Sequence, residues 1–323
     1  MKILVTGGLG FVGRHLVAEL RHGQHDVWLT GVHQHADSQY LRCDVGEYRQ
    51  LARIFEEHKF DLAYHLAAEF GRWNGEDFYE TLWKSNVIGT KHIIRLQERH
   101  RFRMVFFSSS EVYGDWTGVM KENVMDQHEI KQLNDYAMTK WVGEMQILNS
   151  AQAFQTETVR VRLFNLYGPG EPYSTYRSAL CRFIYSALHG LPYTVYASHT
   201  RSWLFIDDAI SALRNIATNF RSGEVYNIAS AQDVSMKNLS DLILRLCEGD
   251  KKLVTVKDEE GMTTHHKKVD NSKAKQDLGL DPKMPLEEGL RQTVQWMRQT
   301  YSSKTSGGGS ANGSVRRMPA RFD

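Results

Sequence analysis

The chain has 323 residues, and its 40 Lys and Arg against 38 Asp and Glu leave a formal net charge of +2. Single domains run to roughly 100–200 residues, so this length implies one large α/β domain with an appendage, or two domains sharing a cleft. At 41% hydrophobic and 24% charged residues the chain is composed to fold, its balanced charge argues against a nucleic-acid partner, and no apolar run approaches the ~18 residues of a membrane span.

In chain order, Met1-Lys2 leads at once into Ile3-Leu4-Val5 and glycines, without the cleavable apolar region of a secretory leader. Lys2–Thr6 reads as a buried strand. The next segment, 11–20, puts Val12, Leu16, Val17 and Leu20 on one helical face. Strands are then predicted near 26–30, 41–45, 61–66 and 104–108, with helices near 45–57 and 86–100 between them, and a further strand near 159–164. Strands alternating with helices predict a parallel sheet wrapped by helices. After this point elements shorten and connections lengthen, with helices predicted near 177–189, 208–218 and 237–248. The division expected is a dinucleotide-binding domain over 1–170, its sheet completed by segments near 200–230, and a smaller substrate domain over 171–301. From Ser302 onward the run SSKTSGGGSANGSVRRMPARFD has the composition of a flexible, basic Gly/Ser tail. Open α/β sheets bind ligands at the carboxyl edge of their strands, so the cleft between the two parts is the expected site.

Gly7, Gly10 and Gly13 sit in TGGLGFVG (6–13), between the first strand and the first helix. There glycines make a tight turn and let main chain approach a pyrophosphate, and the helix N-terminus offers unpaired N–H groups to the phosphates. The acidic residue that commonly holds the adenosine ribose at the end of the second strand is missing: the chain reads Thr30-Gly31-Val32-His33-Gln34-His35. NAD is the expected cofactor, with NADP left open. His33 and His35 are candidates for that edge or plain surface residues.

Tyr136 and Lys140 stand four apart on a predicted helix, hence on one face. Taking a proton from a sugar hydroxyl while its carbon gives up hydride needs a base poised near neutral pH, and free tyrosine, with a pKa of about 10, is not ionised there. A nearby ammonium favours phenolate, so Tyr136 is the expected base and Lys140 the group expected to lower its pKa. Cys43, Cys181 and Cys247 are odd in number and scattered, which reads as reduced thiols in a cytoplasmic protein. No HExxH, Cys/His quartet or carboxylate cage supports a metal site.

Taken together, TGGLGFVG, Cys43-Asp44-Val45, His65-Leu66-Ala67-Ala68-Glu69, Asn86-Val87-Ile88-Gly89-Thr90, Ser108-Ser109-Ser110-Glu111-Val112-Tyr113-Gly114, Tyr136…Lys140, Arg162-Leu-Phe-Asn165, Arg201-Ser-Trp-Leu-Phe-Ile-Asp-Asp208 and Asp270-Asn-Ser-Lys resemble the extended short-chain dehydrogenase/reductases, specifically nucleotide-sugar epimerases and dehydratases. The resemblance runs from Met1 to about Met297. It implies a Rossmann-type doubly wound parallel sheet with a smaller mixed α/β substrate domain. It also implies a nucleotide-diphosphate sugar as partner, and a homodimer formed through the helices near 86–100 and 136–151. Cofactor contacts are implied at Gly7, Gly10, Phe11, Val12, Gly13, Asp44, Val45, Leu66, Ala67, Ala68, Tyr136 and Lys140, the last also bonding the nicotinamide ribose. Ser109 matches the Ser/Thr that hydrogen-bonds the reacting hydroxyl.

Glu111 bears on the reaction class. A ketone made at C4 acidifies the neighbouring C5–H, and a carboxylate there can move that proton and expel the C6 hydroxyl as water. Dehydratases and sugar-acid decarboxylases of the family keep this Glu, whereas typical 4-epimerases lack it; a structural, solvent-facing Glu is the plainer alternative. On the substrate side, Arg201 and Asn165 match residues that meet the diphosphate or sugar, and Arg182 lies on the helix expected to line the nucleotide. Glu69 opens the loop Glu69–Gly75, read as a sugar-side wall. A second basic position, usually Arg in the family, falls here at His265-His266-Lys267-Lys268, with Lys267 as the candidate. The leading function is therefore a nucleotide-sugar 4,6-dehydratase, epimerase or decarboxylase working through transient C4 oxidation. Two alternatives are an isomerase or mutase with weakened coenzyme use, prompted by the missing acidic residue, and a non-catalytic dinucleotide sensor, which would not need the Ser, Tyr and Lys.

Overall fold

Seven short apolar runs pair side by side in parallel in the computed structural model, which describes residues 1–302. The strands in chain order are β1 (Lys2–Thr6), β2 (Asp26–Gly31), β3 (Tyr40–Arg42), β4 (Leu62–His65), β5 (Arg103–Ser109), β6 (Thr158–Leu163), β7 (Asn165–Tyr167), β8 (Tyr193–Tyr196), β9 (Thr200–Phe205), β10 (Val225–Ile228), β11 (Asp233–Ser235) and β12 (Val254–Lys257). The large sheet has the order β10-β6-β5-β4-β1-β2-β3, and each neighbouring pair is parallel. This is the doubly wound, Rossmann-type order, with β10 added beyond β6. The predicted Gly/Ser tail lies outside the described residues, save for Ser302, where the last helix ends.

Both sheet faces are covered, so the strands are apolar throughout rather than alternating. Ile3, Val5, Leu29, Tyr64, Val105 and Phe107 face one layer, whose helices Phe11–His22 and Ile206–Asn215 contribute Leu16, Leu20, Ile210 and Leu213. Leu4, Ala63, Met104 and Phe106 face the other, packed by Leu51 and Ile54 of Tyr48–Glu57, Ile93 and Ile94 of Thr90–His100, and Ile147 of Asp135–Phe154. Two small sheets, β11-β9-β7 and β12-β8, are built from the segments after β6.

Two expected elements differ. The strand predicted over 41–45 ends at Arg42, because Asp44 folds into a side-chain turn, its Oδ1 accepting from Gly46 N at 2.8 Å while its own N–H donates to Gln50 at 2.9 Å. The helix predicted from 86 begins as a π-helical turn over Lys84–Gly89 before Thr90–His100. Asn86 is tied there by Nδ2 to Glu69 O (2.9 Å) and Thr139 Oγ1 (3.0 Å), and by Oδ1 to Glu69 N (2.9 Å). Such turns mark places where a side chain is aimed for function.

The helix Asp135–Phe154 is locked from behind. Buried Glu144 receives Arg162 Nε at 2.9 Å and Nη2 at 2.8 Å, Arg160 Nη1 at 3.2 Å and Ser108 Oγ at 2.5 Å. Arg162 also donates to Tyr113 Oη, which donates to Asn227 Oδ1 at 2.7 Å. Helix, β5, β6 and β10 are thereby fixed relative to one another.

Candidate active site

The carboxyl ends of β1, β2, β4, β5 and β6 open into a cleft of about 1650 Å³, closed opposite by segments after residue 165. Ligand pockets are typically about 300–1,000 Å³, so this one has room for two ligands end to end.

One end is main chain. Gly7 has φ +70°, and a Cβ there would sit 2.8 Å from Ala67 N; a Cβ on Gly13 would fall 2.3 Å from Gly7 O. Gly10 precedes the helix Phe11–His22 without a side-chain cap, which leaves first-turn N–H groups for an anion. Gly7, Gly10, Phe11, Val12, Gly13, Asp44, Val45, Leu66, Ala67 and Ala68 all line this end, as do Gly31, Val32 and His33. The cradle suits a dinucleotide pyrophosphate, because a side chain at Gly7 or Gly13 would collide with main chain and force the tight turn open. At the ribose edge the Tyr40 hydroxyl donates to Gly31 O at 2.7 Å, and His35 accepts from Asp37 N at 3.2 Å.

In the middle of the cleft Ser109, Glu111, Tyr136 and Lys140 come together from β5, the turn after it and the helix Asp135–Phe154. Asn134 caps that helix, accepting from Ala137 N at 2.8 Å, and reaches Glu111 Oε2 at 3.4 Å and Met262 O at 3.1 Å. Ser109 Oγ accepts from Glu111 N at 3.2 Å and lies close enough to Tyr136 to favour its phenolate. Buried Lys140 donates to Phe107 O at 2.8 Å, and its Nζ lies 5.9 Å from the Tyr136 ring centroid. Burial pushes the Tyr136 phenol up to about 12, against the lowering hydrogen bond from Ser109 and with Glu111 adding to the rise. Burial outweighs the depression expected from Lys140, whose Nζ is turned to the Phe107 carbonyl. Burial pushes Lys140 itself down to about 8.

Glu111 is the reverse case. Burial would raise its carboxyl, but Lys267, then Arg201 and Arg72, hold it at about 2. Lys267 is the correction on the substrate side: instead of reaching for phosphate it is 1% exposed, ion-paired with Glu111 and 3.4 Å from Ser110 Oγ. Main-chain pairing of Met120 with Val269 and of Thr200 with His266 brings it there.

Glu69, Asn165, Arg182 and Arg201 line the far end with Phe70, Arg72, Trp73, Tyr173, Tyr196, His199 and Glu260. Glu69 accepts from Asn74 Nδ2 at 3.1 Å and Asn165 donates to Ser202 O at 3.3 Å. Arg201 donates to Thr200 O at 2.7 Å, His265 O at 2.9 Å and Thr263 Oγ1 at 3.2 Å. Sequence reasoning misses Asn134, His199, Glu260 and Glu171. Of these only Asn134, a cap residue just before a helical run, carried a readable signal. Burial pushes the Glu171 carboxyl up to about 7 although Arg177 and Ser178 oppose it. Among the described residues no cluster of His, Cys, Asp or Glu is placed to hold a metal, and no helix is long and apolar enough to cross a membrane.

Known proteins resemble the chain over most of its length. A family model described as the NAD dependent epimerase/dehydratase family matches residues 3–229. A UDP-N-acetyl-alpha-D-glucosaminuronate decarboxylase of Bacillus cytotoxicus is 28% identical, over 92% of this chain and 98% of its own. A dTDP-glucose 4,6-dehydratase of Neisseria meningitidis is 27% identical over 98% and 97%. The solved UDP-glucose 4-epimerase of Thermotoga maritima with UDP-glucose superposes with a TM-score of 0.84 at 25% identity, covering 93% of this chain and 99% of that one.

Proposed function

Because this chain belongs to the NAD-dependent epimerase/dehydratase family, we propose that it converts a nucleotide-diphosphate hexose through a transient 4-ketone and then works at C5. The glycine cradle, Tyr136 and Lys140 would hold NAD, which would supply the acceptor for the C4 hydride and the hydride that C6 receives at the end. Tyr136 takes the proton of the 4-hydroxyl, with Ser109 bonding the same oxygen. The nicotinamide's positive charge adds to what favours phenolate, which a phenol lifted to about 12 requires. Glu111, kept ionised by Lys267, accepts the C5 proton that the ketone acidifies. As the C5 proton leaves, the C5=C6 bond forms and the C6–O bond breaks. The departing hydroxyl takes a proton from water in the cleft and leaves as water; C6 would then receive the hydride and C5 the proton held on Glu111, while Tyr136 gives its proton back to solvent.

The observation carrying this reading is that Glu111, held ionised by Lys267 behind it, lines the cleft beside Ser109 and Tyr136, which puts a second base next to the one that serves the 4-hydroxyl. Arg201 and Asn165 are assigned to the diphosphate and sugar. Incubation with UDP-, dTDP-, GDP- and CDP-sugars, followed by mass spectrometry, tests it. Loss of water from one hexose is expected; loss of carbon dioxide from a uronic acid would make the enzyme a decarboxylase at the same residues, and no conversion of any sugar would end the proposal.

A homodimer is part of the proposal, because Ile88, Met138, Met145 and Leu148 stand exposed on the two helical segments that the family resemblance implies at the interface. Sedimentation at twice the monomer mass, lost in Leu148→Lys, would support it. A cytoplasmic setting is supported by three free, buried thiols.

A further inference from the structure

Arg72, on the short helix Arg72–Asp77, meets Glu260 from across the cleft, Nη2 lying 2.6 Å from Oε1 with the two side chains 14% and 16% exposed. Trp73 Nε1 donates to the same oxygen at 3.1 Å, and the Glu260 N–H donates to His199 Nε2 at 3.2 Å. Arg182 approaches from the helix Ala179–His189. Burial would raise the Glu260 carboxyl, but Arg72, Trp73 and Arg182 hold it below the usual carboxylate range. Arg201 is close enough to feel both Arg72 and Glu260.

Charges and donors do not balance here. Arg72 alone pairs with Glu260 while Arg182 stands nearby without a carboxylate of its own, and Arg72 and Arg182 each keep a buried Nε–H without an acceptor. Buried donors are nearly always satisfied, and a guanidinium presents a rigid fork of N–H groups matched to multi-oxygen anions. Arg72, Arg182 and Glu260 all line the cleft, so the unmatched positive charge sits at its wall. We propose that Glu260 is the built-in counter-ion of an anion subsite formed by Arg72 and Arg182, and that a diphosphate oxygen of the substrate takes its place as the cleft fills. This rests on the nucleotide-sugar reading above. The exchange makes the site selective: a small anion must compete with a tethered carboxylate using phosphate contacts alone, whereas a sugar nucleotide adds contacts along the whole cleft.

Calorimetric titration of the full-length protein tests this. UDP, dTDP, GDP and CDP are titrated first, and the tightest is carried forward beside inorganic pyrophosphate. Arg72→Ala and Arg182→Ala should each weaken nucleoside diphosphate binding roughly 10- to 100-fold, the range for losing a charged hydrogen bond. Glu260→Gln should tighten it several-fold, and tighten pyrophosphate by a larger factor. That gain should vanish in the Arg72→Ala background. Should Glu260→Gln fail to fold, Glu260→Asp, a shorter carboxylate withdrawn from Arg72, should act in the same direction by less. Weaker or unchanged binding in the Glu260 variants, or unchanged binding in Arg182→Ala, overturns the inference. A wild-type protein that binds none of the four nucleoside diphosphates overturns the nucleotide-sugar reading itself.

Discussion

Where the cleft is lined by the turn after β1, the protein presents main chain: Gly7, Gly10 and Gly13 allow a ligand to lie against peptide groups. Where it is lined by the segments after residue 165, it presents long charged side chains, among them Arg182, Arg201 and Glu260. The first wall centres on eight consecutive residues, TGGLGFVG, and its chemistry belongs to the backbone, so a side chain at Gly7 or Gly13 spoils it. The second is assembled from separate segments whose side chains balance one another's charge. A wall of main chain recognises what many ligands share, here a pyrophosphate. One of side chains can be retuned for a particular sugar by single substitutions.

The sharpest break comes between the walls. Tyr136→Phe should lower kcat by roughly 100- to 10,000-fold, the usual weight of a general base, while NAD content and nucleoside diphosphate affinity stay put; steady-state kinetics with calorimetry reads both. Next, Gly13→Val and Arg201→Ala should separate the walls. The valine must push past Gly7 O, costing about 1–3 kcal/mol and weakening NAD binding, as titration with NAD would show. Arg201→Ala should keep the NAD and weaken UDP binding roughly tenfold or more. Equal losses in both variants would mean that the walls are not independent.

Smaller effects follow from charge. Lys267→Met removes the strongest lowering influence on Glu111, so that carboxyl rises from about 2 toward and beyond the ordinary range. The acid limb of the kcat profile should move up in pH, and a profile identical to wild type would detach Lys267 from Glu111. Lys140 is depressed to about 8 from an ordinary 10.5. The unfolded chain holds the extra proton between those values, so stability rises with pH across that window, by at most about 1.4 kcal/mol per pH unit. Lys140→Met should flatten that rise, as thermal melts between pH 7 and pH 10.5 would record.

The same contrast explains what was legible. Tyr136 and Lys140 could be read because four residues on a helix fix a shared face, and the glycine turn because its context is local. The direction of the Tyr136 shift could not, since spacing does not reveal how deeply the phenol is buried. Nor could the partner of Lys267, 156 positions from Glu111, be foreseen before the strand pairing at Val269 was known. Glu260 has no motif at all; its meaning comes wholly from Arg72 and Arg182. The early end of β3 was hidden for a related reason, a side-chain turn at Asp44 overriding an apolar run.

The position of β10 at the sheet edge has a consequence for how the molecule comes into being. Its residues, 225–228, pair with β6, and Asn227 closes the hydrogen-bond chain from Tyr113 and Arg162 to Glu144 behind the Tyr136 helix. During synthesis the coenzyme half therefore cannot finish until more than two hundred residues have left the ribosome. Most of the second wall is by then already made. A fragment ending at 170 would expose β6 as a raw edge, inviting pairing with other chains. The two walls differ in chemistry, yet they are born as one unit.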